Sequence, residues 1–157
     1  MYFSQINSEP EIMKFNTEIE INRPVEKVIQ LFDNPDLMKE WQPGLVSFEH
    51  ISGVAGQPGT KSKLRYKMGN REIDMVETIL VRDLPREFSG TYEAKGVYNI
   101  VKNHFIPLGP GKTKYVCENE FRFKGFMKII AFLMPGAFKK QSYKMQQDFK
   151  KFAESQN

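Results

Sequence analysis

The stretch FMKIIAFLMPGAFKKQSYKMQQDFKKFA, Phe126 to Ala153, decides the fold. From Phe138 its apolar residues recur as Phe138, Met145, Phe149 and Phe152, with Gln141 and Ser142 at the intervening turn. Spacings of three, four and seven place them on one helical stripe. Ahead lies a denser apolar run, Phe126 to Phe138, interrupted at Pro135-Gly136, where proline removes a backbone donor and breaks or kinks a helix. A long helix with a jointed, hydrophobic entrance requires a surface to cover.

The residues before it supply that surface. For about eighty residues beyond Gly44 the chain alternates and turns, as a meander of antiparallel strands does. The strands are expected over Val46–Ser52, Lys61–Lys67, Arg71–Arg82, Glu87–Glu93, Val97–Pro107 and Thr113–Phe123. Glycine and proline punctuate them at Gly53 to Gly59, Gly69-Asn70, Asp83-Leu84-Pro85, Lys95-Gly96 and Gly109-Pro110-Gly111-Lys112. One further strand precedes these: Met13, Phe15, Thr17, Ile19 and Ile21 alternate with Lys14, Asn16, Glu18 and Glu20. Asn22-Arg23-Pro24 then starts a short helix through Phe32, and Asp33-Asn34-Pro35 a second one to Trp41. The architecture is α+β: a curved antiparallel sheet of about seven strands around a long C-terminal helix, with two short helices after the first strand.

A chain of 157 residues is one domain, here residues 13–155, preceded by a loose polar arm over residues 1–12. Thirteen Phe, six Tyr and eight Met exceed what a minimal core needs and suit a lined cavity. The net charge of +4 is spread along the chain without a dense basic block, which argues against nucleic acid. Cys117 is the only cysteine, so no internal disulfide forms and a reducing compartment suits the protein. The N-terminus lacks the blocks of a secretory signal and no apolar run is long enough to span a bilayer, so the expected location is the cytoplasm. His50 and His104 lack metal-ligand spacing, and the sequence implies no metal and no cofactor.

In order and spacing the chain resembles the START-like, or SRPBCC, superfamily. The resemblance rests on Ile19-Glu20-Ile21-Asn22-Arg23-Pro24-Val25-Glu26-Lys27-Val28, Phe32-Asp33-Asn34-Pro35, Trp41-Gln42-Pro43-Gly44, the glycines Gly53, Gly56 and Gly59, Asp83-Leu84-Pro85-Arg86, and Pro107 to Thr113. It implies a helix-grip fold of the polyketide cyclase/dehydrase and lipid transport type, with a pocket between sheet and C-terminal helix for a lipid, sterol, polyketide or similar molecule. The expected function is that of a carrier or sensor without covalent chemistry. Two alternatives stand: a cofactor-independent cyclase or hydrolase, and a protein-binding module like the superfamily's chaperone activators.

Projecting the alternation inward gives the candidate ligand residues: Trp41, Phe48, Tyr66, Met75, Glu77, Tyr92, Asn103, Tyr115, Met134 and Phe138. Glu77 falls in the series Ile73, Met75, Glu77, Ile79, Val81. If that face is interior, Glu77 is a carboxylate in an apolar cavity, a candidate acid, base or anchor; a slip of one residue makes it a surface charge. His50 and Tyr66 are its candidate helpers, and Asn99 and Asn119 share the inward face with Asn103. Phe126, Ile129, Ile130, Phe132 and Leu133, with the lysines after them, allow transient membrane contact but not stable insertion. The protein is expected to act as a monomer or homodimer.

Overall fold

The computed structural model describes residues 9–157; residues 1–8 of the expected arm lie outside the described residues. Seven strands form one antiparallel sheet: β1 (Glu11–Ile21), β2 (Leu45–Ser52), β3 (Lys61–Met68), β4 (Arg71–Asp83), β5 (Glu87–Ala94), β6 (Val97–Pro107) and β7 (Thr113–Phe123). Their order is β1-β7-β6-β5-β4-β3-β2, so every sequential pair from β2 to β7 is a hairpin and β1 closes beside β7. β1 begins two residues before the alternation announces it. α1 (Val25–Phe32) follows β1, and a single turn of 3₁₀ helix, Pro35–Leu37, leads into α2 (Met38–Trp41). Asn34 caps that turn, its Oδ1 accepting from the Asp36 amide at 3.1 Å.

The C-terminal cover divides where proline demands it. α3 (Phe126–Leu133) ends at Met134, and α4 (Pro135–Ser155) begins with Pro135 at its first position. Proline pushes the residue before it out of the helical region. Met134 accordingly sits at φ −131°, ψ 57° and serves both helices as a cap.

α4 packs along β1 and touches α2. Its far end is tied to the β1–α1 turn. The Asn22 amide donates to Glu154 Oε1 at 2.7 Å, and the Arg23 guanidinium donates to the carbonyls of Glu154 and Gln156. The Arg23 contacts satisfy carbonyls that a helix C-terminus leaves without partners. The core gathers at the same end: Ile21, Val28, Leu31, Trp41, Phe105, Tyr115, Cys117, Phe149 and Ala153. Phe32 is its hub, with ring centroids 4.9–5.9 Å from those of Trp41, Phe88, Phe105, Tyr115 and Phe149.

Two expectations about side-chain direction fail. Helix geometry turns Gln146, rather than Met145, into the interior: Gln146 is 1% exposed and Met145 36%. The working stripe of α4 is therefore Phe138, Ser142, Gln146, Phe149 and Ala153, at intervals of three and four. On β4, Ile79 pairs Gly90 while Val81 pairs Ser89, so Leu80 is an extra residue and Val81 turns outward. The partner strand accommodates this bend with Gly90, where a Cβ would lie 3.0 Å from the Thr78 carbonyl oxygen.

Phe149→Ala should cost about 3–5 kcal/mol, the usual range for emptying a buried aromatic site, whereas Met145→Ala should stay within about 0.5 kcal/mol. Urea denaturation of both variants checks the assignment, and equal losses would contradict it.

Candidate functional site

The strand register assembles one row of side chains across the concave face: His50, Ser62, Glu77, Tyr92, Asn99, Phe121 and Met13 stand opposite one another from β2 to β1. Five consecutive members carry polar groups, an unusual composition for the inside of a sheet. A neighbouring row holds Phe48, Leu64 and Met75. A third holds Phe88, Asn103, Cys117 and Thr17. Glu77 thus faces the interior and is 7% exposed.

The Glu77 carboxylate accepts the Tyr92 hydroxyl at 2.8 Å and has no cationic partner among the described residues. Burial raises its pKa, against the lowering effect of the Tyr92 hydrogen bond. Burial likewise raises the phenols of Tyr66 and Tyr92, and the Glu77 charge raises both further. These groups therefore share one electrostatic environment. Tyr66 donates to Gln42 Oε1 at 2.5 Å, which links the cluster to the residue after α2.

A second polar cluster lies toward α4. Asn119 donates to Ser142 Oγ at 3.0 Å and to Cys117 Sγ at 3.3 Å, and Asn99 donates to Asn119 Oδ1 at 3.4 Å. Tyr115 donates to Asn103 Oδ1 at 2.7 Å. Gln146 spans the gap between helix and sheet, donating to the carbonyls of Thr17 and Tyr115. Thr17 Oγ1, Asn99 Oδ1 and Gln146 Oε1 are buried without hydrogen-bond partners among the described residues. An unpaired buried polar atom costs about 1–3 kcal/mol, so these are capacity for hydrogen bonds that the protein itself does not use.

Phe48, Tyr66, Met75 and Tyr92 are only partly buried although they point inward. On the concave face of β2 to β5 they form an aromatic wall, with Glu77 buried beside Tyr92. A surface groove lies elsewhere. It measures about 500 Å³, runs between β1 and the start of α4, and is lined by Asn16, Thr17, Glu18, Gly136, Lys139, Lys140 and Tyr143. A smaller one of about 320 Å³ lies at Lys63, Asp74 and Glu93, where Asp74 is already paired with Arg65 and Lys63. Neither is lined by a buried ionisable group, whereas the concave face holds Glu77.

The register brings Phe48, Tyr66, Met75, Glu77, Tyr92, Asn103 and Tyr115 to one face, with Phe138 packed 5.1 Å from Phe121 at its edge. Three candidates are placed otherwise. Trp41 is sealed in the core between Phe32 and Phe149, 5% exposed, instead of lying at a rim. Met134 is 56% exposed at the α3–α4 joint and points away from the interior. His50 shares the row of Glu77, but on the edge strand its ring is exposed and Nε2 is engaged with the Gly53 carbonyl at 2.8 Å. It is therefore no proton partner for Glu77. Gln42, Ser142 and Gln146 escaped the sequence reading, although the four-residue spacing Phe138, Ser142, Gln146 carried the signal for two of them.

His104 binds Glu118 and the Arg86 carbonyl on the convex face. Burial pushes the Cys117 thiol up, which disfavours the reactive thiolate. Among the described residues no group of three His, Cys, Asp or Glu is placed to hold a metal ion, and no helix is long and apolar enough to cross a membrane.

The family model for polyketide cyclase / dehydrase and lipid transport matches residues 13–153. Among solved structures, an aromatase/cyclase from Streptomyces superposes with a TM-score of 0.77 at 10% identity, covering 92% of this chain and 94% of that one. Norcoclaurine synthase from Thalictrum flavum, in complex with dopamine and hydroxybenzaldehyde, superposes with a TM-score of 0.70 at 18% identity, covering 100% and 96%. No curated relative matches the sequence.

Because the Glu77 pKa is raised by burial, the folded state holds that proton more tightly than the unfolded chain does. Its contribution to stability is present below the ordinary value of 4.5 and is lost as pH rises through the folded-state pKa. The stability of Glu77→Gln relative to the parent should therefore increase above that pH and level off once Glu77 has ionised in the fold. Urea denaturation across a pH series measures the difference, and a pH-independent gap would contradict the assignment.

Proposed function

This chain belongs to the polyketide cyclase / dehydrase and lipid transport family, and on that premise we propose that it binds a small, largely hydrophobic molecule carrying a polar group, as a carrier or sensor. The ligand lies on the concave face against Phe48, Tyr66, Met75 and Tyr92, with its polar group toward Glu77. One observation carries this reading: a buried carboxylate, with a single phenolic partner among the described residues, stands beside a partly buried aromatic wall that faces inward. Such a carboxyl accepts a hydrogen bond from a ligand hydroxyl or amine, and donates one while protonated. The norcoclaurine synthase structure contains two small aromatic molecules with polar substituents, and the mixed lining here suits ligands of that general chemistry.

Native mass spectrometry of gently purified protein and thermal-shift screening with fatty acids, sterols and aromatic polyketides test the proposal. A bound ligand at a hundredfold excess over its Kd contributes about 2.7 kcal/mol, a Tm rise of roughly 5–10 °C for a domain of this size. Tyr92→Phe should weaken a binder about tenfold by removing one hydrogen-bond partner. The absence of any retained or stabilising compound would remove the main support for the reading.

The 2.8 Å Glu77–Tyr92 contact favours a second reading, a cofactor-independent cyclase or hydrolase in which Glu77 moves a proton on the bound molecule. Glu77→Gln should then lower kcat by about 10²–10⁴-fold with any substrate found. A variant as active as the parent would eliminate this chemistry while leaving ligand binding intact.

A further inference from the structure

α3 turns its apolar side away from the protein. Only a narrow stripe packs inward: Ala131 is buried, and Met127 lies against the β5–β6 turn. At that turn Gly96 takes φ +74°, and a Cβ there would meet Met127 Cγ at 2.9 Å and the Lys124 carbonyl at 3.0 Å. Phe126, Ile129, Phe132, Leu133 and Met134 remain 71, 53, 83, 66 and 56% exposed. A helix apolar on nearly every side belongs in a core or at a lipid boundary, and a patch of this kind on a folded domain marks a contact surface.

Charge selects the partner. From Phe121 to Gln147 the chain contains six basic residues and no acidic one, more positive charge than the whole protein's net +4. Arg122 is paired with Glu120 and Lys144 with Asp148. Lys124, Lys139 and Lys140 are exposed and have no carboxylate partner among the described residues, and Lys128 donates only to the Glu9 carbonyl. A second copy of this chain meeting α3 across a two-fold axis would set like charges against each other. An anionic bilayer accepts both features, with the aromatic and aliphatic side chains entering the acyl boundary and the ammonium groups resting among the headgroups.

We propose that α3 and the first turns of α4 form a docking surface for anionic phospholipid membranes, with α3 lying in the plane of the interface. Phe138 sits between the joint and Lys139, and it packs on Phe121 and Phe123 of the concave face. Docking therefore places the edge of the interior at the lipid surface. The docking itself requires no ligand and stands independently of what the interior binds.

Cosedimentation of the full chain with vesicles of phosphatidylcholine alone, and of equal phosphatidylcholine and phosphatidylserine, tests the proposal. The protein should sediment with the mixed vesicles, weakly with the neutral ones, and be released by salt. Lys139→Gln/Lys140→Gln should weaken partition roughly thirtyfold, at about 1 kcal/mol per lysine near an anionic surface. Phe132→Ser/Leu133→Ser should abolish it, with an unchanged Tm because both side chains are already exposed. Failure of the parent to bind mixed vesicles, or equal binding by parent and Phe132→Ser/Leu133→Ser, would overturn the proposal. So would a parent that ignores vesicles and instead self-associates through α3, with the double serine variant monomeric.

Discussion

One helix about 10 Å across has to serve a sheet whose seven strands spread over roughly 29 Å. The remaining width must curl, be covered by something else, or stay open. This protein does the first two. The Leu80 bulge and Gly90 bend the middle of the sheet. α1 and α2 close one end around Phe32, which also packs on Phe88 of β5, while α2 meets β2 and α4 lies chiefly along β1.

Stability and binding capacity are consequently separated in space. Around Phe149 and Phe32 the side chains are aromatic and tightly buried, and the helix end is fastened by Arg23 and Asn22. Across the Glu77 row the same sheet carries hydrogen-bonding groups, and there the Asn99 Oδ1 atom finds no partner among the described residues. Filling those positions with aliphatic residues would remove desolvation penalties of about 1–3 kcal/mol per group. The core at one end must offset them, and its aromatic packing around Phe149 and Phe32 is dense there.

The strands were readable because each alternates strictly between glycine- or proline-bearing turns: Val97–Pro107 and Thr113–Phe123 match the structure to the residue. The inward direction of Glu77 was readable only conditionally, because strand register depends on cross-strand pairs that one sequence does not display. The reversal at Val81 was hidden for a related reason, since a bulge is one uncounted residue in a pattern of period two. Gln146 was missed because hydropathy favours the adjacent Met145, whereas the i, i+4 step from Ser142 decides which side chain enters. Trp41 reads equally well as a rim or a core residue until the three-dimensional position of Phe149 is known. His50 carries the right face and the wrong edge, a distinction set by sheet order alone.

The C-terminal segment carries the same separation into the helices. α4 is anchored by buried Phe149 and Ala153 and by polar ties from Gln146 and Ser142. α3, beyond the Met134 break, is anchored by little more than Met127 and Ala131. The fixed and loosely held parts meet at Pro135, which sits at the first position of α4, where its missing N–H breaks no helical hydrogen bond. The joint therefore adds no strain to α4, yet it prevents α3 from continuing as one rigid rod. Local opening is favoured where few buried apolar contacts hold an element in place. By that criterion α3 can move while the core, the sheet and α4 stay folded, and Phe138 marks where such motion would begin to uncover the concave face.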